Sequence, residues 1–186
     1  MKELFKRMLH SLEQGENVVL CSILASSGSA PRGAGAKMAV FPDGTTCGTI
    51  GGGAVERIAA EQAAALFKTG ACHCQAFCLA PNQINDIGMI CGGSVTVYFR
   101  FFDHENAQDL ALIQTILELL AYGQDAWLVS RMEDGKITAM GTFDEAHGLR
   151  FAELDETMLR PWLTSSAVYR KGEPAYYVDP ISRAGR

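Results

Sequence analysis

Apolar and polar positions alternate along this chain with two distinct periods. Lys2 to Gln14 places Phe5, Met8, Leu9 and Leu12 on one face at helical spacing, with Gly15 as a stop. Val18 to Leu24 is nearly all apolar and predicts a strand buried on both faces. Lys37 to Phe41 and Thr45 to Ile50, separated by Pro42-Asp43-Gly44, predict a hairpin. Ala54 to Phe67 returns to the helical period, with Val55, Ile58, Ala59, Ala63, Leu66 and Phe67 facing a core.

The second half repeats these signals. Ala71 to Leu79 predicts a strand, and Val95 to Phe102 another, with Val95, Val97, Phe99 and Phe101 on one face. Ala107 to Ala121 predicts a helix capped by Asn106, with Leu110, Ile113, Ile116, Leu117 and Leu120 inward. Ala126 to Met132 and Ile137 to Phe143 flank Glu133-Asp134-Gly135-Lys136, a strong hairpin signal. Asp155 to Leu163 predicts a short helix whose last turn Pro161 disturbs. Ala167 to Arg170 and Ala175 to Val178 form a last hairpin, and Ser182 to Arg186 reads as the start of a linker. The sum is an α/β layered domain over 1–180, with a mixed sheet, several hairpins and three to four packed helices, followed by a tail at 181–186.

Size and charge narrow the class. The 186 residues suit one domain, and 48% apolar residues supply an ordinary core. A net charge of −5 argues against a general nucleic-acid binder. No apolar run is long enough to span a bilayer, and the amphipathic N-terminus is unlike a signal peptide, which points to the cytoplasm. Without a signal, the six cysteines read as reduced thiols rather than a disulfide framework. Cys72, Cys74 and Cys78 alternate along a strand and lack zinc-site spacing, so they read as structural.

Three glycine-containing loops begin or end strands and are the candidates for chemistry: Ser26 to Gly35, Gly48 to Gly53, and Gly88 to Gly93. The first carries Ser29 and Arg32, with Lys37 just after it; either cation can pair with an anion. The second, Gly51, Gly52 and Gly53, opens a helix, where unpaired amides and the helix dipole suit a phosphate. Its plain alternative is a tight turn with no ligand. Glu56 in the first helical turn complements the dipole or joins the site. The third loop offers the Cys91 thiol beside Gly92 and Gly93, against the alternative of an inert buried cysteine. No nucleophile elbow, Walker loop, zinc-hydrolase helix or G-x-G-x-x-G spacing is present.

The stretches G-S-A-P-R-G-A-G-A-K-M at Gly28 to Met38, G-T-I-G-G-G-A-V-E at Gly48 to Glu56 and M-I-C-G-G at Met89 to Gly93 resemble the XdhC/CoxI family. A weaker resemblance runs on to A-Y-Y-V-D-P-I near the end. The resemblance implies an accessory factor for xanthine dehydrogenase and related molybdenum hydroxylases, a chaperone rather than a catalyst. It implies binding of the molybdenum cofactor (molybdopterin), help with its sulfuration, and transfer to the apo-hydroxylase, with a cysteine desulfurase supplying sulfur. The implied cofactor-binding residues are Ser29, Arg32, Lys37, Gly51, Gly52, Gly53, Glu56, Cys91, Gly92 and Gly93, with Cys91 as the soft metal ligand or sulfur relay. Longer members continue into a Rossmann-like domain where this chain stops, so either this is a short member with that domain encoded separately, as a Rossmann-like partner, or it is a fragment; a homodimer is a further partner consistent with the resemblance. The competing class is a small nucleotide-dependent oxidoreductase using the glycine turn and Cys91. A third is a pure assembly domain.

Overall fold

The computed structural model describes residues 1–28, 33–78 and 93–185, with 26–28, 73–78 and 93 described by backbone only. Ten strands form one sheet among the described residues, in the order β3-β2-β1-β5-β4-β7-β6-β10-β9, with β8 paired to β7. The strands are β1 (Val18–Gly28), β2 (Lys37–Val40), β3 (Thr46–Gly48), β4 (His73–Cys78), β5 (Gly93–Phe102), β6 (Ala126–Glu133), β7 (Lys136–Asp144), β8 (Gly148–Arg150), β9 (Val168–Arg170) and β10 (Ala175–Ser182). The helices are α1 (Lys2–Glu13), α2 (Gly53–Thr69), α3 (Ala107–Tyr122) and the single turn α4 (Glu156–Leu159), which runs into a 3-10 turn at Arg160–Trp162. No helix is long and apolar enough to cross a membrane among the described residues.

The layered α/β arrangement is the expected one. The sheet, expected to be mixed, is antiparallel in every described pairing. The reason lies in the connections. Tight hairpins join β2 to β3 and β6 to β7, and α2 carries the chain across to β4, which enters antiparallel to β5. The β6–β7 turn has positive φ at Asp134 (50°) and Gly135 (72°), the twist-matched hairpin turn that the sequence predicts.

Strand β1 is buried on both faces, as its composition predicts. Val19, Cys21 and Ile23 join Met38, Val97 and Phe99 beneath α2. Val18, Leu20 and Leu24 join Tyr98 and Phe102 on the opposite side, where α1 and α3 pack. The second core also holds Leu128, Met132, Met140 and Tyr177 from β6, β7 and β10. The sheet therefore has two halves whose inner faces share one core. They are joined edge to edge only thinly, through the single β4–β7 pair His73 with Lys136.

Helix α3 is apolar on most of its surface, which hides its true inner face. Its buried residues are Leu112, Ile113, Ile116 and Leu119 together with Asp109 and Thr115, while Leu110, Leu117 and Leu120 are only half-buried. Asp109 can lie inside because Arg100 Nη2 donates to it at 2.8 Å and the Asp103 amide at 2.8 Å. Strand β10 runs past Pro180, where the sequence predicts an end. Beyond Val178 no β9 partner needs an N–H, so the proline costs no ladder bond on that side.

The two halves meet through charge as well as apolar contact. Lys37 of β2 forms an ion pair with Asp179 of β10, and both side chains are only 3% exposed. Removing one member leaves a buried charge without its partner, which costs about 3–5 kcal/mol, whereas removing both is often near neutral. We therefore expect Lys37→Met to lower unfolding free energy by about that amount, and Lys37→Met with Asp179→Leu to recover most of it. Denaturant unfolding of the two variants checks this; additive losses would show that the pair is not coupled.

Candidate functional site

The register sets the described strand ends that flank the three glycine-containing stretches at the same end of the sheet. Gly28, the last residue of β1, pairs directly with Gly93, the first of β5. Lys37 at the start of β2 pairs with Ser22, and Gly48 at the end of β3 pairs with Met38. The described strand ends that border 29–32 and 79–92 therefore lie side by side, six residues further along β1 than the level of Lys37. Whether the three loops converge rests on residues outside the described ones. Ser29, Arg32, Cys91 and Gly92 themselves lie outside the described residues, and of Gly93 only the backbone is described.

The turn at 51–53 needs glycine. All three residues have positive φ, at 123°, 74° and 59°, a region that residues with a Cβ rarely adopt. Among the described residues nothing lies within 4 Å of the Cβ position at Gly52, so its backbone is open to close approach there. Gly48 is different: a Cβ there would meet the Lys37 carbonyl oxygen at 2.5 Å and Leu4 Cδ1 at 2.7 Å, so that glycine serves strand pairing.

The amides of this turn already have an anion. Glu56 Oε1 accepts from the Gly52 amide at 2.8 Å, the Ile50 amide at 3.0 Å and the Thr49 hydroxyl. Thr49 Oγ1 in turn accepts from the Gly51 amide at 3.0 Å. Partial burial works against the carboxylate's charge, but the bonds from Thr49, Gly52 and Ile50 outweigh it and hold Glu56 below the ordinary glutamate range. An external phosphate on the Ile50 and Gly52 amides would have to displace Glu56.

Lys37 is likewise committed. Its Nζ bonds Asp179 and donates to the Gly35 carbonyl at 3.0 Å, so its charge is neutralised inside the protein rather than offered to a ligand. Two thiols are described nearby. Burial pushes the Cys21 thiol far up, leaving it an inert core group. Cys47 is half-buried and lines a cavity of about 420 Å³ with Gly35, Lys37, Gly48 and Thr49, walled by the start of α1. The sequence placed Cys47 in a hairpin strand and gave no sign that it borders the site. Tyr177 and Asp179 were missed as well. The signal was there: an aspartate on the inward-facing alternation Ala175, Tyr177, Asp179 implies a buried counter-charge.

A larger cavity, about 540 Å³, lies elsewhere, between Leu119 and Tyr122 of α3 and the Asp144–His147 turn. His147 Nδ1 is 2.8 Å from Asp144 Oδ2 there. None of the residues expected to act lines it.

Glu56 is half-buried and in reach of solvent, so its bonds contribute modestly. Loss of a charged acceptor in Glu56→Gln should cost about 1 kcal/mol after allowance for solvent screening. Because its folded pKa is depressed, the contribution is present at neutral pH and is lost as pH falls through that depressed value. The parent's lead over Glu56→Gln in thermal midpoint should shrink steadily on acidification below the ordinary glutamate range. A lead that stays constant with pH would mean that the charge does not hold the turn.

Comparison with known proteins places these features in context. Residues 11–77 match the model of the XdhC and CoxI family. No curated protein matches the chain. A solved structure described as a xanthine dehydrogenase from Bacillus halodurans superposes with a TM-score of 0.72 at 17% identity, covering 96% of this chain and 53% of that one. At that identity the likeness shows a shared fold, and this chain spans about half the length of its neighbour. The matched segment includes two of the three glycine loops, Glu56 and Lys37, while the Cys91 loop and Asp179 lie beyond it. Residues 11–77, from the end of α1 through β4, carry the pattern of the XdhC and CoxI family.

Proposed function

We propose that this chain is an accessory factor in the maturation of a xanthine dehydrogenase or related molybdenum hydroxylase, holding the molybdenum cofactor transiently at the glycine-loop end of the sheet. One observation carries the reading: Gly28, inside the family-matched region, pairs directly with Gly93 at the foot of the Cys91 stretch, and among the described residues nothing crowds the backbone of Gly52. The superposition on a protein described as a xanthine dehydrogenase supports the same direction.

Molybdopterin presents a phosphate, a hydrogen-bonding pterin and a dithiolene-held metal. The described residues suit these parts unequally. With Glu56 on the Ile50 and Gly52 amides, the turn suits the uncharged, hydrogen-bonding pterin edge better than the phosphate. Charge for the phosphate falls to Arg32, since Lys37 is paired internally. Soft coordination belongs to Cys91 in the expected set, and Cys47 is a second thiol at the cavity. Bound there, the cofactor would supply the metal that the client hydroxylase uses; the chain's task is to hold and release it. In this reading the partners are the apo-hydroxylase and a cysteine desulfurase, with a Rossmann-like domain and a second copy of the chain as further candidates. The protein acts in the cytoplasm.

The direct test is molybdenum and pterin analysis of the protein purified from cells that make molybdopterin. Retained pterin with molybdenum supports the proposal, retained nucleotide favours the oxidoreductase alternative, and neither favours a pure assembly role. Two variants locate the site. Arg32→Ala should weaken binding by about 1.5–3 kcal/mol, the value of a hydrogen bond to a charged group; equal affinity would remove Arg32. Cys91→Ser should impair hydroxylase activation far more than it lowers the thermal midpoint, because serine is a harder ligand and stays un-ionised. Full activation by the serine variant would leave that thiol no role.

A further inference from the structure

The segment that carries the family pattern ends at residue 77, yet its first glycine loop is tied down by residues a hundred positions later. Gly35 is held on every side. Its amide donates to the Ile23 carbonyl at 2.9 Å, and the Ile23 amide donates back to the Ala36 carbonyl at 2.9 Å. Its own carbonyl accepts from Lys37 Nζ at 3.0 Å. The Ile23 carbonyl also accepts from the Tyr177 hydroxyl at 3.1 Å. Lys37 Nζ is fixed in turn by Asp179. Asp179 Oδ1 stands 3.3 Å from where a Gly35 Cβ would be, and the Tyr177 hydroxyl 3.9 Å.

This ring sits at an irregular point. The β1–β5 register shifts between Ile23 and Ala25, so the ladder loses its regular step just where the loop must turn. The β1–β2 ladder begins only at Ser22 with Lys37. The loop's return to the sheet therefore depends on a few bonds, two of which come from β10. Burial of both charges makes the arrangement all-or-none: Lys37 cannot reach the Gly35 carbonyl without Asp179 to neutralise it in the interior.

We infer that Asp179 and Tyr177 are positioning residues for the glycine loop at 33–36: through Lys37 and the Ile23 carbonyl they fix Gly35 and set cofactor affinity without touching the cofactor. The affinity part rests on the proposed function; the positioning part stands alone. Gly35 has φ of 94°, so the loop cannot take up slack by accepting another residue there.

Hydrogen exchange at the Gly35 amide tests positioning, and pterin retained per chain tests its consequence. In Asp179→Asn and in the milder Tyr177→Phe, protection of the Gly35 amide should fall at least roughly tenfold more than that of the Val129 amide in the core strand β6, and retained pterin should fall at least roughly fivefold. In Lys37→Met with Asp179→Leu, the thermal midpoint should return towards the parent while Gly35 protection and pterin stay low. The inference is overturned if Gly35 and Val129 lose protection equally, or if both Gly35 protection and pterin return with the midpoint in the double variant. If the parent itself retains no pterin, the proposed function fails, and the exchange comparison still decides the positioning of Gly35.

Discussion

The structure depends on a lysine and an aspartate that water does not reach. Lys37 and Asp179 are 142 positions apart in sequence and on opposite halves of the sheet, and their contact fixes how the halves face each other. A buried pair of this kind adds little net stability, because desolvation offsets most of the attraction. What it adds is direction. An apolar interface between two sheet faces tolerates slippage, whereas a charge that must meet one counter-charge does not. Tyr98 and Tyr177, edge to face at 6.1 Å between ring centres, continue the same seam.

That constraint also explains where the site sits. The described part of the first glycine loop, 33–36, returns to the sheet where Lys37 begins β2, and Gly35 is bonded to the same lysine. Loop and clamp are therefore one assembly. The turn before α2 is ordered separately, by Glu56 lying across the amides that a phosphate would otherwise find. A helix start that looks from sequence like a vacant anion site thus carries its own anion.

Much of the fold was legible in the sequence. Period-two and helical patterns located β1, β5, α1 and α2, because each has one or two fully apolar faces with few competing signals. Asn106 capped α3 as predicted, accepting from the Gln108 and Asp109 amides. The pattern failed where a helix was apolar all round, as in α3, and where a strand was short, as in β8, since three residues carry no period. The three hairpin pairings were legible, but the strand order and the direction of the remaining pairings were not, because they depend on which way each longer connection returns. For the site, the glycines were readable, and the direct pairing of Gly28 with Gly93 was not. Lys37 and Glu56 were recognised as charged residues near the loops, but a sequence does not show that each already has a partner.

The central claim is that the glycine-loop end of the sheet, and not the larger cavity beside His147, receives the ligand. The most direct measurement is a map of backbone amide shifts on adding released molybdopterin to the isotopically labelled protein. The account predicts saturable changes at Gly35, Gly48 to Gly53 and Gly93, with Leu119 to Gln124 and Asp144 to His147 unmoved. Changes confined to Leu119 to His147, or none at any concentration, would contradict it.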